Sequence, residues 1–409
     1  MQKMTAIPDL IFAQNTDRQP YFLQLKYEAM VGDYYRFFRA TTELFFRDLS
    51  QQKELLVESP NVWVCGDLHL ENFGSYKGET RQPHFAINDF DEAYLAPAHV
   101  DPLRLITSLY VSAQGLQLSE SEINQMAEYF LTIYFNTLST GYIRSIEKAT
   151  ATGIMHDFLE EISTRKRKKF LDKKTIRTKG TRSLLIDNLH MSALTKAEKE
   201  GIKGQLKQNF QHHPNKKFYK VLDLAQRIAG TSSLGLRRYV ALVQGNGSSD
   251  ANYLLDIKET RPSCLHNHVK TPQPQWPTEA HRIIEVQQRV LDDPPALLTS
   301  LDMLGRNYVI KELQPSADRI NYALFHKKTG KMKQLLYYMA TITAWGVLRS
   351  QGRQGSAIAD DCIHWAKSGP KMVQPMIKYA QNYSIQMMKY HQTFSKAYKN
   401  GFFSSQLVN

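Results

Sequence analysis

Residues 61–92, NVWVCGDLHLENFGSYKGETRQPHFAINDFDE, decide both the fold and the chemistry of this chain. Two short runs, 61–65 (NVWVC) and 84–88 (HFAIN), have the β-branched and aromatic content of strands. The first run stops at a glycine, and the second ends in the acidic segment NDFDE at 88–92. The pattern predicts a hairpin in which two polar segments meet at one end.

These polar segments contain oxygen ligands and a candidate base. They carry the carboxylates of Asp67, Asp89 and Asp91, the amide of Asn72, and His69. Carboxylates this close repel one another, by about 4 kcal/mol per pair at 4 Å with an effective dielectric near 20, so the site needs a cation. Such ligands suit Mg²⁺. Phosphoryl transfer needs one carboxylate to accept a hydroxyl proton, and an amide and a carboxylate to hold Mg²⁺. The sequence therefore predicts a phosphotransferase-type metal site.

Outside this segment the pattern is mainly helical. Apolar side chains at three- and four-residue spacing predict helices within 20–50, 102–148, 332–349 and 375–399. A Gly-rich loop, GTSSLG, is followed by strand-like runs at 238–243, 253–258 and 308–313. The predicted fold class is α+β, with a small antiparallel β lobe and a large, mainly helical lobe.

The Gly-rich loop predicts a nucleotide site. Kinase-like folds need such a loop over the phosphates, a strand lysine that contacts them, and a helix glutamate that holds the lysine. The candidates are Gly230, Ser232, Ser233 and Gly235 in the loop, Lys258 on a strand, Glu285 on a helix, and Lys311 as a second, less favoured lysine. This set follows the acidic segment, the reverse of ordinary kinases. We therefore expect a kinase-like two-lobed fold that is circularly permuted, which termini at the surface permit.

The acidic segment resembles a known family. The stretches CGDLHLENF (65–73) and INDFDEAYLAPAHVDPLRL (87–105) are similar to the HGDxHxxN…IDxxxA…DP segment of aminoglycoside phosphotransferases and related kinase-like enzymes. The resemblance implies ATP and Mg²⁺ as cofactors. It implies these roles: Asp67 as catalytic base, Asn72 and Asp89 as Mg²⁺ ligands, Asp101 as a structural acid, and His69 as a residue that shapes the loop. Cys65 stands where those enzymes usually have His.

A larger part of the chain, 20–110 and 226–390, is similar to the bacterial domain-of-unknown-function family 2252, which implies no established reaction. Where that family has HARSG, this chain has SQGRQG, with Gln351 in place of the His and Arg353 after it. Cys65, Ser232 and Gln351 are the departures that favour a second hypothesis, a nucleotide-binding pseudokinase or an AMP-transferring kinase-like protein.

The charge of the chain keeps a third hypothesis open. The formal net charge of +13 favours an anionic partner, and 165–182 holds ten Lys/Arg against one acid, Asp172. This basic stretch is either a solvated surface or a patch for an anionic acceptor. A basic nucleic-acid-binding protein is the alternative from another class, although no helix-turn-helix or RNP-like motif supports it. Without metal, the segment 88–92 would also repel phosphate.

Four parts are predicted along the chain. They are a helical lobe with the catalytic-loop hairpin at 1–150, a basic helical insertion or linker at 151–220, a nucleotide-binding β lobe at 221–325, and C-terminal helices at 326–409 that complete the helical lobe. The three cysteines show no CxxC spacing, which favours a reducing compartment. No eighteen apolar residues run together, and the N-terminus lacks a signal pattern, so we expect a cytoplasmic protein without a membrane span.

Overall fold

The structure, a computed structural model, describes residues 6–52, 59–315 and 320–407. Its α-helices are α1 Ile7–Ala13, α2 Pro20–Gly32, α3 Tyr34–Ala40, α4 Thr42–Leu49, α5 Val100–Leu116, α6 Glu120–Thr140, α7 Gly153–Thr164, α8 Arg167–Lys174, α9 Lys196–Phe210, α10 Glu279–Val290, α11 Thr329–Arg349, α12 Ala359–Lys367, α13 Gly369–Lys399 and α14 Phe402–Leu407. Its β-strands are β1 Asn61–Val64, β2 Phe73–Lys77, β3 Pro83–Ile87, β4 Tyr94–Pro97, β5 Thr175–Thr178, β6 Thr181–Leu184, β7 Met191–Ser192, β8 Val221–Arg227, β9 Arg238–Val243, β10 Tyr253–Glu259, β11 Thr299–Met303 and β12 Arg306–Glu312. Short 3-10 helices span Ser249–Ala251, Cys264–Asn267 and Tyr322–Phe325.

The helical lobe is built around α5 and α6, which pack against the long helices α11 and α13. Buried apolar side chains recur at helical spacing along these helices, as the sequence predicts. α6 begins with a capping box between Ser119 and Glu122 and ends at Gly141, whose φ of 69° favours glycine. The predicted helical region 20–50 is present as α2, α3 and α4.

The β lobe is an antiparallel sheet in the order β11-β12-β10-β9-β8-β7. Successive side chains alternate between the two faces of such a sheet. On β9, Ala241 and Val243 belong to the core beneath α9, whereas Val240 and Leu242 pack in the opposite core with Leu171 of α8. Cover on both faces explains the unbroken apolar run YVALV at 239–243. The predicted α+β class is thus confirmed.

The predicted hairpin between 61–65 and 84–88 is wrong, because these two strands do not pair with each other. β1 pairs with β4, and β3 pairs with β2, both antiparallel. The sequence does not reveal β2, FGSYK, because its glycine and lysine are uncommon in strands. The two polar segments still meet, since the Asn88 N–H donates to the Asn72 carbonyl over 3.0 Å. They are therefore joined through two strand pairs instead of one hairpin.

Within the region 151–220, α7 packs against α11 and β3, whereas the part from α8 to α9 is attached to the six-stranded sheet. α9 covers one face, and β7 pairs with β8 at the sheet edge. The basic stretch forms α8 and the hairpin β5–β6, which packs on the other face. Within 6–52, 59–315 and 320–407, no helix is both long and apolar enough to cross a bilayer.

Candidate active site

A buried carboxylate holds the loop after β1. Asp101, in the first turn of α5, accepts the backbone N–H groups of Cys65 and Gly66 over 2.8 and 3.0 Å. Gly66 has a φ of 84°, and a Cβ there would lie 2.2 Å from the Glu92 carbonyl oxygen. Burial raises the pKa of Asp101 to about 6, although the two N–H groups favour its charged form. Asp101 thus fixes the backbone directly before Asp67.

Asp67 lies beside a buried arginine. The Nη2 and Nε atoms of Arg104 donate to Asp67 Oδ1 over 2.9 and 3.1 Å. The same guanidinium stacks on Phe38, with Cζ 3.6 Å from the ring centroid. Burial raises the pKa of Asp67 to about 6, against the opposing effect of Arg104. Sequence reasoning missed Arg104, whose only signal was a cation one turn after Asp101 in an otherwise apolar helix.

His69 is buried between Asp67 and the side chains of α3. Its Nδ1 accepts the Glu71 N–H over 3.1 Å, and its Nε2 lies 3.9 Å from Asp67 Oδ2. Arg39 Nε lies 3.1 Å from the same Nε2, and Arg39 forms an ion pair with Glu71. These contacts fix the ring beside Asp67.

Asn72 links the two polar segments and keeps one oxygen for a ligand. Its Nδ2 donates to the carbonyl oxygens of Asp67 and Asp89 over 3.1 and 3.3 Å. Its Oδ1 is buried and has no hydrogen-bond partner among the described residues. A buried acceptor left without a partner costs about 1–3 kcal/mol, which a bound cation would offset. The unpartnered Oδ1 of Asn72 is therefore suited to bind a metal ion. The Asp89 carboxylate, on the adjoining segment, is suited to be a second ligand.

Protein side chains supply only part of such a metal site. Within the described residues, no group of three or more His, Cys, Asp or Glu side chains could hold a metal ion. Asp91, predicted as a third ligand, is partly exposed and forms an ion pair with Lys258. Mg²⁺ at nucleotide sites is bound through one or two carboxylates, water and the substrate phosphates. The pair Asn72 and Asp89 matches that sparse protein contribution.

Two lysines of the β lobe reach the acidic segment. Lys258, on β10, pairs with Asp91, and its Nζ lies 3.6 Å from Asp89 Oδ2. Lys311, on the neighbouring strand β12, donates to the Asn88 carbonyl over 3.3 Å. Burial lowers the pKa of Lys311 to about 8, with Asp89 opposing this shift. The structure therefore brings both predicted lysines next to the candidate metal ligands.

The expected contact between Lys258 and Glu285 is not formed. Glu285 is 48% exposed and pairs with Arg289, 3.2 Å away on the same helix. The buried positions of α10 follow the helical period and include Arg282 but not Glu285. Arg282 Nη2 donates to the Asp91 carbonyl over 2.8 Å. The side chain of α10 that contacts the acidic segment is thus Arg282, which sequence reasoning missed, and not the predicted Glu285.

The Gly-rich loop 230–235 lies against the helical lobe. Gly230 and Gly235 have φ angles of 75° and 90°, and the residues between them form successive turns. The Ser232 hydroxyl donates to the Arg39 carbonyl over 2.9 Å. At Gly235 a Cβ would lie 2.7 Å from the Arg18 side chain, so this close approach requires glycine. The loop therefore packs against α3 and Arg18.

Two cavities meet at the acidic segment. The Lys258 cleft, of about 450 Å³, is lined by residues that include Asp89, Asp91, Gly230, Arg238, Lys258 and Lys311. The Asp67 cavity, of about 370 Å³, is lined by residues that include Arg18, Lys26, Asp67, Asp89, Asp91 and Ser232. Asp89 and Asp91 belong to both linings. Both volumes suit small-molecule ligands.

The basic stretch 165–182 lies outside both linings. Its Arg182 is paired with Asp172 and Asp250, each at 2.7 Å. Arg353 lies near the C-terminal end of α11, and its carbonyl accepts a hydrogen bond from Trp63 Nε1 over 3.1 Å. Neither feature therefore supplies a side chain to the candidate active site.

Comparison with known proteins places the chain in a family without assigning a reaction. No curated protein and no solved structure matches this chain. The sequence model of DUF2252, described as "Uncharacterized protein conserved in bacteria", matches residues 18–397. Because this match spans nearly the whole chain, the protein belongs to the bacterial family DUF2252.

Proposed function

We propose that this chain is an ATP- and Mg²⁺-dependent phosphotransferase of kinase-like type. The observation that carries the proposal is the meeting of Lys258 with Asp89 and Asp91 at the wall shared by two cavities. One cavity is rich in cationic side chains, which suit phosphates, and the other contains the carboxylate of Asp67. A nucleotide and an acceptor can therefore approach the same acidic segment from two sides.

The order of elements in the β lobe supports this proposal. After β8 come the Gly-rich loop, β9, and then β10 with Lys258, followed by α10. Kinases likewise place a Gly-rich loop before a lysine on the third strand, with a helix after it. Here the set follows the loop of Asp67 in the sequence, as a circularly permuted kinase-like fold requires.

The proposed chemistry divides among few residues. Asn72 and Asp89 would hold Mg²⁺, which when bound neutralises charge on the phosphates. Lys258 and Lys311 contribute positive charge to the Lys258 cleft. Asp67 Oδ2, the oxygen that Arg104 does not bind, can accept the proton of an acceptor hydroxyl. A pKa of about 6 leaves Asp67 mainly ionised, yet still basic, at neutral pH.

A nucleotide-binding pseudokinase or an AMP-transferring protein is the second candidate. It is favoured by the pairing of Lys258 with Asp91 in place of Glu285, because the phosphate contacts would then differ from those of ordinary kinases. Phosphate and AMP differ in mass, so mass spectrometry of the reaction products separates the two transfers. A pseudokinase would give neither product.

Thermal unfolding with and without ATP and Mg²⁺ tests the nucleotide site. Ligand at a hundred times its dissociation constant stabilises the native state by about 2.7 kcal/mol, which raises the unfolding midpoint measurably. Lys258→Met should lose this response because it removes a buried charge from the cleft. Glu285→Gln is the matched control, since its carboxylate pairs on the helix surface, and it should respond as the wild type does. An unchanged wild-type midpoint at millimolar nucleotide would refute the proposal.

A further inference from the structure

The lining of the Asp67 cavity includes the buried cationic side chain of Lys26 as well as carboxylates. Lys26, on α2, is 2% exposed. Its Nζ donates to Asn15 Oδ1 over 2.8 Å and to the Ser232 carbonyl over 3.3 Å. Both partners are neutral, and an ammonium has three donors. Within the described residues Lys26 forms no ion pair. Burial lowers the pKa of its ammonium well below the usual range, and a bound anion would favour the charged form again.

Arg18 lies on the same wall and is also incompletely bonded. Its Nη1 donates to the Leu234 carbonyl over 2.6 Å, whereas its Nε is buried and has no hydrogen-bond partner among the described residues. Arg261, a third cation of this lining, is paired with Asp17 at 2.7 Å. Burial lowers the pKa of Arg18 to about 10, and Arg261 lowers it further. Lys26 and Arg18 thus lie on one wall with no ion-pair partner among the described residues, while Glu92 of the same lining acts on both from a distance.

Burying cations against neutral partners is costly, and an anion placed between them removes much of that cost. We propose that Lys26 and Arg18 form an oxyanion subsite of the Asp67 cavity, which binds the phosphate or carboxylate group of a small acceptor. That the bound anion belongs to an acceptor rests on the proposed phosphotransferase function, whereas the binding of an anion at this subsite does not. The cavity volume of about 370 Å³ suits a small metabolite. The acceptor would then carry an anionic group at one end and a hydroxyl near Asp67.

The subsite is tested by thermal unfolding without nucleotide or Mg²⁺. Wild-type protein is titrated with sodium phosphate and with sodium malonate, each against sodium chloride at matched ionic strength. At saturation we expect the midpoint to rise by about 2–4 °C with at least one of the two anions. A response to phosphate assigns the subsite to phosphoryl groups, and a response to malonate assigns it to carboxylates.

Two variants locate the response. In Lys26→Met, whose side chain is similar in size but uncharged, the dissociation constant of the anion should rise at least tenfold. Lys168→Met is the matched control, because this lysine lies outside both linings, and it should keep the wild-type response. Lys258→Met reports any anion that binds in the Lys258 cleft instead. If Lys26→Met does not fold, Arg18→Gln provides the same test with a neutral side chain.

Three results would overturn the subsite. They are no response of the wild type to either anion, a full response in Lys26→Met, and a response lost only in Lys258→Met. The last would place the anion in the Lys258 cleft. Failure of ATP to stabilise the protein would refute the phosphotransferase proposal without affecting the anion titration, so the two proposals fail separately.

Discussion

The Asp67 loop, residues 65–72, and the Gly-rich loop, 230–235, border the same cavity but are held in different ways. Asp101 bonds two backbone N–H groups of the first loop from within the same lobe. The second loop is held from the opposite lobe, where Ser232 donates to a carbonyl of α3 and Arg18 donates to a loop carbonyl. The first loop is therefore held by a residue of the helix that follows it, whereas the second depends on contacts with residues distant in the sequence.

The largest effect should come from the carboxylate of the first loop. Asp67→Asn keeps the shape of the side chain but removes the proton acceptor, so ATP turnover should fall by about 10²–10⁴-fold. The ATP-induced rise in the unfolding midpoint should remain, since Asp67 does not line the Lys258 cleft. Steady-state ATP consumption and thermal unfolding measure the two quantities. Turnover that survives in Asp67→Asn would remove Asp67 from the proposed chemistry.

Next in size is the loss of the acid that braces this loop. Asp101→Ala leaves the N–H groups of Cys65 and Gly66 buried without partners, and each such group costs about 1–3 kcal/mol. We expect the free energy of unfolding, from urea titration, to fall by about 4 kcal/mol. Asp101→Asn keeps one acceptor oxygen and should cost roughly half as much. Equal stability of Asp101→Ala and the wild type would show that the loop does not depend on this carboxylate.

A pH dependence should come from the start of α5, the helix that carries Asp101 and Arg104. His99 is buried with both ring nitrogens unpartnered among the described residues, and burial lowers its pKa to about 4 from 6.5. Between these values the unfolded chain binds the proton and the folded chain does not. Above pH 6.5 His99 is neutral in both states, and the stability that it contributes is fully present. As the pH falls through 4, the free energy of unfolding decreases by about 3 kcal/mol.

Urea titrations at several pH values measure this loss, and His99→Gln is the control because it cannot be protonated. The difference in unfolding free energy between wild type and His99→Gln should change by about 3 kcal/mol from pH 7 to pH 4. A constant difference over this range would show that His99 is not the group that titrates.

The sequence predicts the first loop well because its parts are close along the chain. The spacing from Asp67 to Asn72 and the strand before them fix a local turn, and Asn72 then contacts the Asp89 segment. The same local patterns predict most helices and the strands β9, β10 and β12. The hairpin is mispaired because the strand β2 has a composition unlike that of strands.

Residues that act across the fold could not be predicted. Arg104 binds Asp67 and Arg282 binds the backbone of the acidic segment, both through contacts set by helix packing, and no motif distinguishes them from other arginines. The sequence predicts Glu285 as the partner of Lys258 because it lies on the helix that follows this lysine. The rotation of α10 about its axis turns Glu285 outward. Lys26 shows the same limit, because in sequence it is one lysine of an amphipathic helix and only tertiary burial makes it unusual.

The smallest effect should come from the Gly-rich loop. Ser232→Ala removes the hydrogen bond to the Arg39 carbonyl and should lower the free energy of unfolding by about 1 kcal/mol. Ser233→Ala is the matched control, since that hydroxyl makes no hydrogen bond within the described part of the chain.

Amide hydrogen exchange distinguishes a local effect of Ser232→Ala from a general one. Because contacts with the other lobe hold this loop, exchange should quicken across 230–236 while protection at 65–72 is unchanged. Faster exchange in both loops would mean that they open as one unit. The contrast between a self-supported loop and a loop held by contacts with a distant part of the chain would then be wrong.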